Sequence, residues 1–134
     1  MKYNGIIERK LQFIESKLEE IRSWNIKTYE MLQNSSLLQN ATERALQVAI
    51  EVMIDISERV LALENISPQE TASGNIQKLQ EIGIISAKSE YMDVVRFRNF
   101  IVHRYEKIDL DIIYAILKNK LHLFDEFVSE IRNS

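Results

Sequence analysis

Apolar residues recur along most of this 134-residue chain at intervals of three and four positions, the spacing that places them on one face of an α-helix. The first run predicts a helix from about Ile6 to about Ser23. The following segment, residues 24–40, is less regular, and its Asn34-Ser35-Ser36 sequence predicts a break. A second run, from Leu46 to Leu61, predicts a long second helix.

Three more helices are predicted after this point. Ser67-Pro68 ends the second helix, because proline removes a helical hydrogen-bond donor. A short third helix, residues 76–82, stops at Gly83, and a fourth begins after Ser86 and continues to about Val102. A fifth begins at Asp109 or Asp111. We therefore expect an all-α fold, an up-and-down four-helix bundle with an additional short helix, forming one domain over residues 1–134.

The composition favours the same fold. The chain has 3 glycines and 1 proline, too few for the tight turns of a multi-stranded sheet. Its 46% hydrophobic content suffices for a core. It has no cysteine, so disulfides, thiolate metal ligands and a cysteine nucleophile are excluded, which fits a reducing compartment.

The charge balance limits the partners. Seventeen Lys and Arg residues against 20 Asp and Glu give a net charge of −3. Nucleic-acid binding draws most of its affinity from phosphate contacts, so any such role must rest on a local basic cluster. Charged residues interrupt the N-terminal sequence and every other apolar run. We expect neither a signal peptide nor a membrane span, and a cytoplasmic location.

The fourth helix carries one residue that does not fit its apolar pattern. Tyr91, Val94, Ile101 and Tyr105 fall on one stripe of a helical wheel, and Arg98 lies at the centre of that stripe. Burial of an unpaired guanidinium lowers the stability of the fold by roughly several kcal/mol. The arginine therefore requires a carboxylate, a symmetric partner surface or an anionic ligand.

A neighbouring stripe of the same helix is polar. It contains Arg96, Asn99 and His103, and Asn99 precedes His103 by four residues, so it could orient the imidazole by a hydrogen bond. Arg98 and His103 point in directions about 140° apart. One helix thus presents them to different walls of a groove, and a two-fold related copy could bring them together.

The residues from Arg98 to Tyr105 read R-N-x-x-x-H-x-Y. This string resembles the signature of the HEPN superfamily and, more closely, the R-x-x-x-x-H-x-Y motif of the HepT toxin family. The segments at residues 46–56, 79–85 and 102–109 also resemble that family. The likeness extends over roughly residues 5 to 130, without a departure at the arginine, asparagine, histidine or tyrosine.

The resemblance implies a homodimeric helical bundle that acts as a metal-independent endoribonuclease, with no cofactor and no metal site. Such proteins are the toxins of two-component toxin–antitoxin modules. By that likeness, His103 would act as general base or acid, Arg98 would hold the phosphate of the RNA substrate, and Asn99 would orient His103 or the substrate. Imidazole and guanidinium suit these roles, because one exchanges protons near neutral pH and the other is a permanently charged fork.

The resemblance also implies a partner, a minimal nucleotidyltransferase antitoxin, and makes Tyr105 the acceptor of AMP. A nucleotide on Tyr105 would place an anion beside Arg98 and obstruct RNA. The alternative for Tyr105 is plain packing at the end of the apolar stripe.

Other polar groups give weaker signals. Asp55 belongs to a ladder with Glu51 and Arg59 on the polar side of the second helix, where it is either a solvated charge or a supporting carboxylate for Arg98. Arg96 is a second supporting candidate. His122 has no partner at metal-ligand spacing.

Three functions remain open from the sequence. The first is a ribonuclease toxin, and the intact arginine–histidine pair favours it. The second is a non-catalytic helical module that docks a nucleotidyltransferase, and the acidic net charge favours it. The third is an unrelated helical interaction protein.

Overall fold

The computed structural model describes Tyr3 and residues 5–102 and 109–134. Within these ranges the chain forms seven α-helices and no strand, which confirms the all-α fold. The helices are α1 (Gly5–Ser23), α2 (Tyr29–Gln33), α3 (Ser36–Leu63), α4 (Ala72–Glu81), α5 (Glu90–Val102), α6 (Leu110–Asn119) and α7 (Leu121–Arg132).

Helix α3 is the centre of the bundle. It is 28 residues long and packs against α1, α2, α4, α5 and α6, while α1 also packs against α7. Its core face includes Leu46, Ile50 and Met53, which are fully buried. The buried apolar residues of the described chain form one cluster. Burial of this cluster, at about 25 cal/mol per Å² of apolar surface, is the main stabilising contribution to the fold.

The bundle differs from the sequence expectation before Leu46. Helix α3 begins ten residues earlier, at Ser36, and the preceding segment contains the short helix α2. Ser35 caps α3, since its hydroxyl accepts a hydrogen bond of 3.1 Å from the Leu38 amide. The predicted break therefore lies at the helix start. The buried position Thr42 is polar and interrupts the apolar pattern of this first part of α3.

The predicted fifth helix is two helices. Asp109 caps α6 as expected, because its carboxylate accepts hydrogen bonds from the Asp111 and Ile112 amides at 3.1 and 3.3 Å. The chain then leaves helical geometry at Lys120, with φ of −126°, and α7 follows immediately. Apolar spacing continues across this joint, so the sequence pattern does not reveal it.

The short helix before α5 ends as predicted. Gly83 adopts φ of +79°, in the left-handed region that glycine enters without a steric penalty. The helix itself, α4, begins earlier than expected, at Ala72, because the Thr71 hydroxyl accepts a hydrogen bond from the Gly74 amide.

Helix α5 is anchored at its first turn. The Tyr91 hydroxyl donates a hydrogen bond to Glu130 of α7, and its buried ring meets the edge of Phe127 at a centroid distance of 6.2 Å. The same carboxylate accepts a hydrogen bond from the Ser86 amide at 3.2 Å. Burial, reinforced by the Glu130 carboxylate, raises the pKa of Tyr91. These contacts fix the helix that carries Arg98.

In the described ranges, no helix combines the length and the apolar character needed to cross a bilayer.

Candidate functional site on helix α5

The apolar stripe expected on α5 is present. Tyr91, Val94, Val95 and Ile101 are buried against the rest of the bundle. Arg98 lies between these residues along the helix, and its side chain is 27% exposed. The guanidinium is thus held at the edge of the core.

Arg98 faces helix α3. Its Nε lies 3.9 Å from a carboxylate oxygen of Glu51, beyond hydrogen-bonding distance, and Glu51 is half exposed. The Nε atom is buried and makes no hydrogen bond to the residues that the structure describes. A loose ion pair of this kind contributes little to stability.

Asp55 does not pair with Arg98, the partner that the sequence suggested for it, but with two other cations. Its carboxylate bonds to Lys10 at 2.7 Å and to Arg59 at 3.1 Å. Partial burial raises the pKa of Asp55, but the hydrogen bonds from Lys10 and Arg59 outweigh it, so the pKa is lowered. The carboxylate next to Arg98 is Glu51, one turn earlier. The spacing within α3 does not indicate which of its carboxylates faces α5, because that depends on the register between two helices.

The polar stripe of α5 faces solvent. Asn99 is exposed, and Arg96 is 75% exposed and bonds to Asp93 at 2.6 Å. The same aspartate bonds to Lys120 at 3.2 Å. Lys120 stands at the joint between α6 and α7, and sequence reasoning missed it because that joint was not predicted. Asp93 thus gathers two cations beside the polar stripe.

His103 and Tyr105 lie outside the described residues. The structure therefore brings Arg98, Asn99 and Arg96 onto the last two described turns of α5, and His103 and Tyr105 follow Val102 in the sequence. Their roles stay predictions.

The described part of the site contains groups that can bind an anion, each near a carboxylate: Arg98 faces Glu51, and Arg96 bonds to Asp93. Two guanidinium groups, Arg98 and Arg96, and an exposed amide, Asn99, share the C-terminal half of α5. Guanidinium and amide groups donate hydrogen bonds to phosphate oxygens. Over the described ranges, no three His, Cys, Asp or Glu residues come together as metal ligands.

Comparison with known proteins gives one family. The family model described as ribonuclease HepT-like matches residues 14–131. A search of curated proteins finds no match.

Several solved structures are similar to the chain. A tri-AMPylated HEPN toxin of Shewanella oneidensis, in complex with an MNT antitoxin, superposes with a TM-score of 0.88 at 21% identity, over 98% of this chain and all of that one. A toxin–antitoxin structure with AMP-PNP gives a TM-score of 0.88, 21% identity, and the same coverage. YutE of Bacillus subtilis, a cytosolic protein of unknown function, gives 0.83 at 19% identity, over 96% of this chain and 87% of that one. At these identities the likeness shows a shared fold.

Proposed function

This chain belongs to the ribonuclease HepT-like family, and on that premise we propose that it is an RNA-cleaving toxin of a two-component toxin–antitoxin system. The proposal includes cleavage without a metal ion and neutralisation by a minimal nucleotidyltransferase antitoxin. The matched model covers most of the chain, and two solved structures of the same fold are toxins with their antitoxins.

The observation that carries the proposal is the state of Arg98. Its Nε is buried, makes no hydrogen bond within the described residues, and meets Glu51 only at 3.9 Å. Since buried donors nearly always have acceptors in a functioning protein, a ligand with anionic oxygens would complete this site. The phosphodiester of RNA supplies such oxygens.

The proposed reaction uses the nucleophile that RNA itself contains. The 2′-oxygen attacks the adjacent phosphorus, forms the O2′–P bond, and the P–O5′ bond breaks. His103 removes the 2′ proton as general base, and the leaving 5′-oxygen takes its proton from water or from the protonated His103 of a second copy; in the reverse assignment His103 is the general acid and water takes the 2′ proton. Arg98 binds the non-bridging oxygens and stabilises the charge that develops on them. Asn99 orients His103 or the substrate, and Arg96 adds positive charge.

A two-fold dimer would complete the site. Arg98 and His103 project in directions about 140° apart on a helical wheel, so groups from two copies would converge more readily than groups from one. The partly buried Phe100 of α5 and Ile112 of α6 give these helices apolar surface for such a contact.

Tyr105 is the proposed acceptor of AMP from the antitoxin. The nucleotide would bring a phosphate to the end of the stripe that carries Arg98. The AMP phosphate would then occupy Arg98, the residue proposed to bind the phosphate of RNA, and RNA would be excluded.

The test is RNA cleavage in EDTA by the purified protein and by the variant His103→Ala. We expect fragments from the wild type and none from the variant, with both proteins equally helical by circular dichroism. Cleavage by His103→Ala at the wild-type rate would remove the proposed proton transfer.

The net charge of −3 favours a second function, a non-catalytic module that docks a nucleotidyltransferase. The same assay separates the two functions, because a docking module would leave RNA intact in wild-type form and still bind the nucleotidyltransferase.

A further inference from the structure

Helices α1 and α3 enclose a groove that the proposed reaction does not use. Three adjoining cavities of about 170, 370 and 430 Å³ follow one another along it. Ile6 lines two of them and Phe13 lines two, so together they form one continuous depression, the α1–α3 groove. It extends from Ile6 to Trp24, about 27 Å at 1.5 Å per helical residue.

The floor of the groove is apolar and open to solvent. Phe13 is 40% exposed, Ile6 is 43% exposed, and Leu63, at the α3 end of the groove, is 49% exposed. Val48 and Val52 of α3 are partly buried and continue the apolar surface between them. Contiguous apolar surface of this kind marks an interaction site more often than a solvated face.

The rim of the groove is basic although the protein is acidic. Among the charged residues that line it in the described chain, only Glu20 is acidic. Asp55 lies between two of the cations and pairs with both, so five cations meet two carboxylates. The basic residues are Arg9, Lys10, Lys17, Arg44 and Arg59.

The charges of α1 are divided between its two sides. Arg9, Lys10 and Lys17 line the groove. On the other side, Glu8 and Glu15 bind Arg132 of α7 at 2.7 and 2.8 Å. Two of the α1 carboxylates are therefore engaged away from the groove, while Glu20 pairs with Lys17 on the rim at 3.8 Å.

We propose that the α1–α3 groove is a docking site for an acidic amphipathic helix of a protein partner. A helix of about five turns matches the length of the groove. Its apolar side chains would contact Ile6, Phe13 and Val52, and flanking glutamates or aspartates would meet the basic rim, the arrangement of helix-in-groove recognition. The residues that line the groove are not among those proposed for catalysis, although α3 also carries Glu51, which faces Arg98.

Two other occupants fit less well. A second copy docked by a two-fold axis would place the same surface against itself, and basic rim would meet basic rim. Single-stranded RNA binds by stacking bases on exposed aromatic faces. Phe13 and the partly buried Trp24 are the aromatic residues that line the described groove, and the Lys17 ammonium already lies 5.5 Å from the Phe13 ring centroid. The other apolar lining residues are aliphatic.

The experiment measures fluorescence anisotropy with a labelled synthetic peptide of about 18 residues, with leucines at helical spacing and glutamates on both flanks. We expect saturable binding to the full chain, weakened by salt. Phe13→Glu and Arg9→Glu should each weaken it at least about tenfold. The matched controls are Leu37→Glu, at a 78% exposed leucine outside the groove, and Lys118→Glu on α6, and both should bind as the wild type does.

Three kinds of result would overturn the proposal. The first is no saturable binding at about 1 mM protein, or equal loss in the control variants. The second is a change from dimer to monomer in Phe13→Glu during sedimentation, which would assign the groove to a second copy. The third is competition by single-stranded RNA that the two groove variants abolish, which would make it an RNA track. Circular dichroism of each variant excludes unfolding as the cause of lost binding.

Discussion

Arg98 holds a permanent positive charge at a position where the pattern of α5 otherwise places apolar side chains. Its Nε lies 3.9 Å from the Glu51 carboxylate, so within the described residues the positive charge of the guanidinium is only weakly compensated. The loose pair contributes little to stability, so the residue is better explained by what it binds.

We expect Arg98→Ala to lower RNA cleavage by at least about 100-fold, the usual loss when one group that stabilises transition-state charge is removed. The free energy of unfolding should change by no more than about 1 kcal/mol, since the pair with Glu51 is loose and partly solvated. Cleavage rates and urea denaturation measure the two effects.

A structural ion pair gives the opposite result. In that case Arg98→Ala would lower the free energy of unfolding by roughly several kcal/mol, and Glu51→Gln would lower it by a comparable amount. Glu51→Gln is therefore the matched control, and we expect it to fold normally.

Tyr105→Phe separates regulation from catalysis. The ring and its packing remain while the hydroxyl that would accept AMP is lost, so we expect near-normal RNA cleavage and escape from an AMP-transferring antitoxin. Intact-mass analysis after incubation with antitoxin and ATP should show adenylylation of the wild type alone.

Two results would contradict this role. A catalytically dead Tyr105→Phe would place the hydroxyl in the cleavage reaction. An active but fully neutralised variant would mean that the antitoxin acts by occlusion.

The anchor of α5 to α7 makes the free energy of unfolding depend measurably on pH. Burial and Glu130 raise the pKa of Tyr91 above its ordinary value of 10.0. The unfolded chain therefore releases this proton first as pH rises. The stabilisation is complete below pH 10 and is lost progressively above it.

We expect Tyr91→Phe to cost about 1–3 kcal/mol at neutral pH, the range for a hydrogen bond to a charged group. The variant should also lose less stability than the wild type between about pH 10 and 12. Urea denaturation across this range is the measurement. Tyr3→Phe is a second variant with which to compare Tyr91→Phe, because burial and Glu64 raise the pKa of Tyr3 to about 12. An unchanged pH profile in Tyr91→Phe would assign the alkaline loss to other groups.

The predictability of the elements follows from how local their causes are. Gly83 and Asp109 lie where local chemistry indicates a helix end and a helix start, and the structure confirms both. The joint at Lys120 has no local signal, because the apolar spacing continues through it. The first turns of α3 were not predicted, because the buried residue Thr42 is polar and interrupts the apolar pattern.

The site was predictable to a lesser extent. The helical wheel alone showed that Arg98 stands on an apolar stripe and that Asn99 and Arg96 stand beside it. It did not show that Glu51 is its neighbour or that Lys120 shares Asp93 with Arg96. Those contacts depend on how helices pack, which a single helix does not encode.

Helices α5 and α6 leave apolar residues partly uncovered on the surface of the bundle. Phe97, Phe100, Leu110 and Ile112 pack against the core cluster without full burial. We expect a two-fold dimer at micromolar concentration, with α5 and the start of α6 near its axis.

Sedimentation velocity measures this directly. Phe100→Glu should shift the protein toward a monomer and reduce RNA cleavage, whereas Leu37→Glu should remain dimeric and active. A wild-type monomer at micromolar concentration would contradict a site shared by two copies.

The central proposal is that RNA is cut through its own 2′-hydroxyl. The most direct measurement uses an RNA oligonucleotide that the protein cleaves at one bond in EDTA, and the same oligonucleotide with a single 2′-deoxy nucleotide on the 5′ side of that bond. We expect the first to yield a 2′,3′-cyclic phosphate and a 5′-hydroxyl, and the second to remain intact at that bond. Cleavage of the deoxy substrate at an equal rate, or cleavage that EDTA abolishes, would contradict the proposed chemistry.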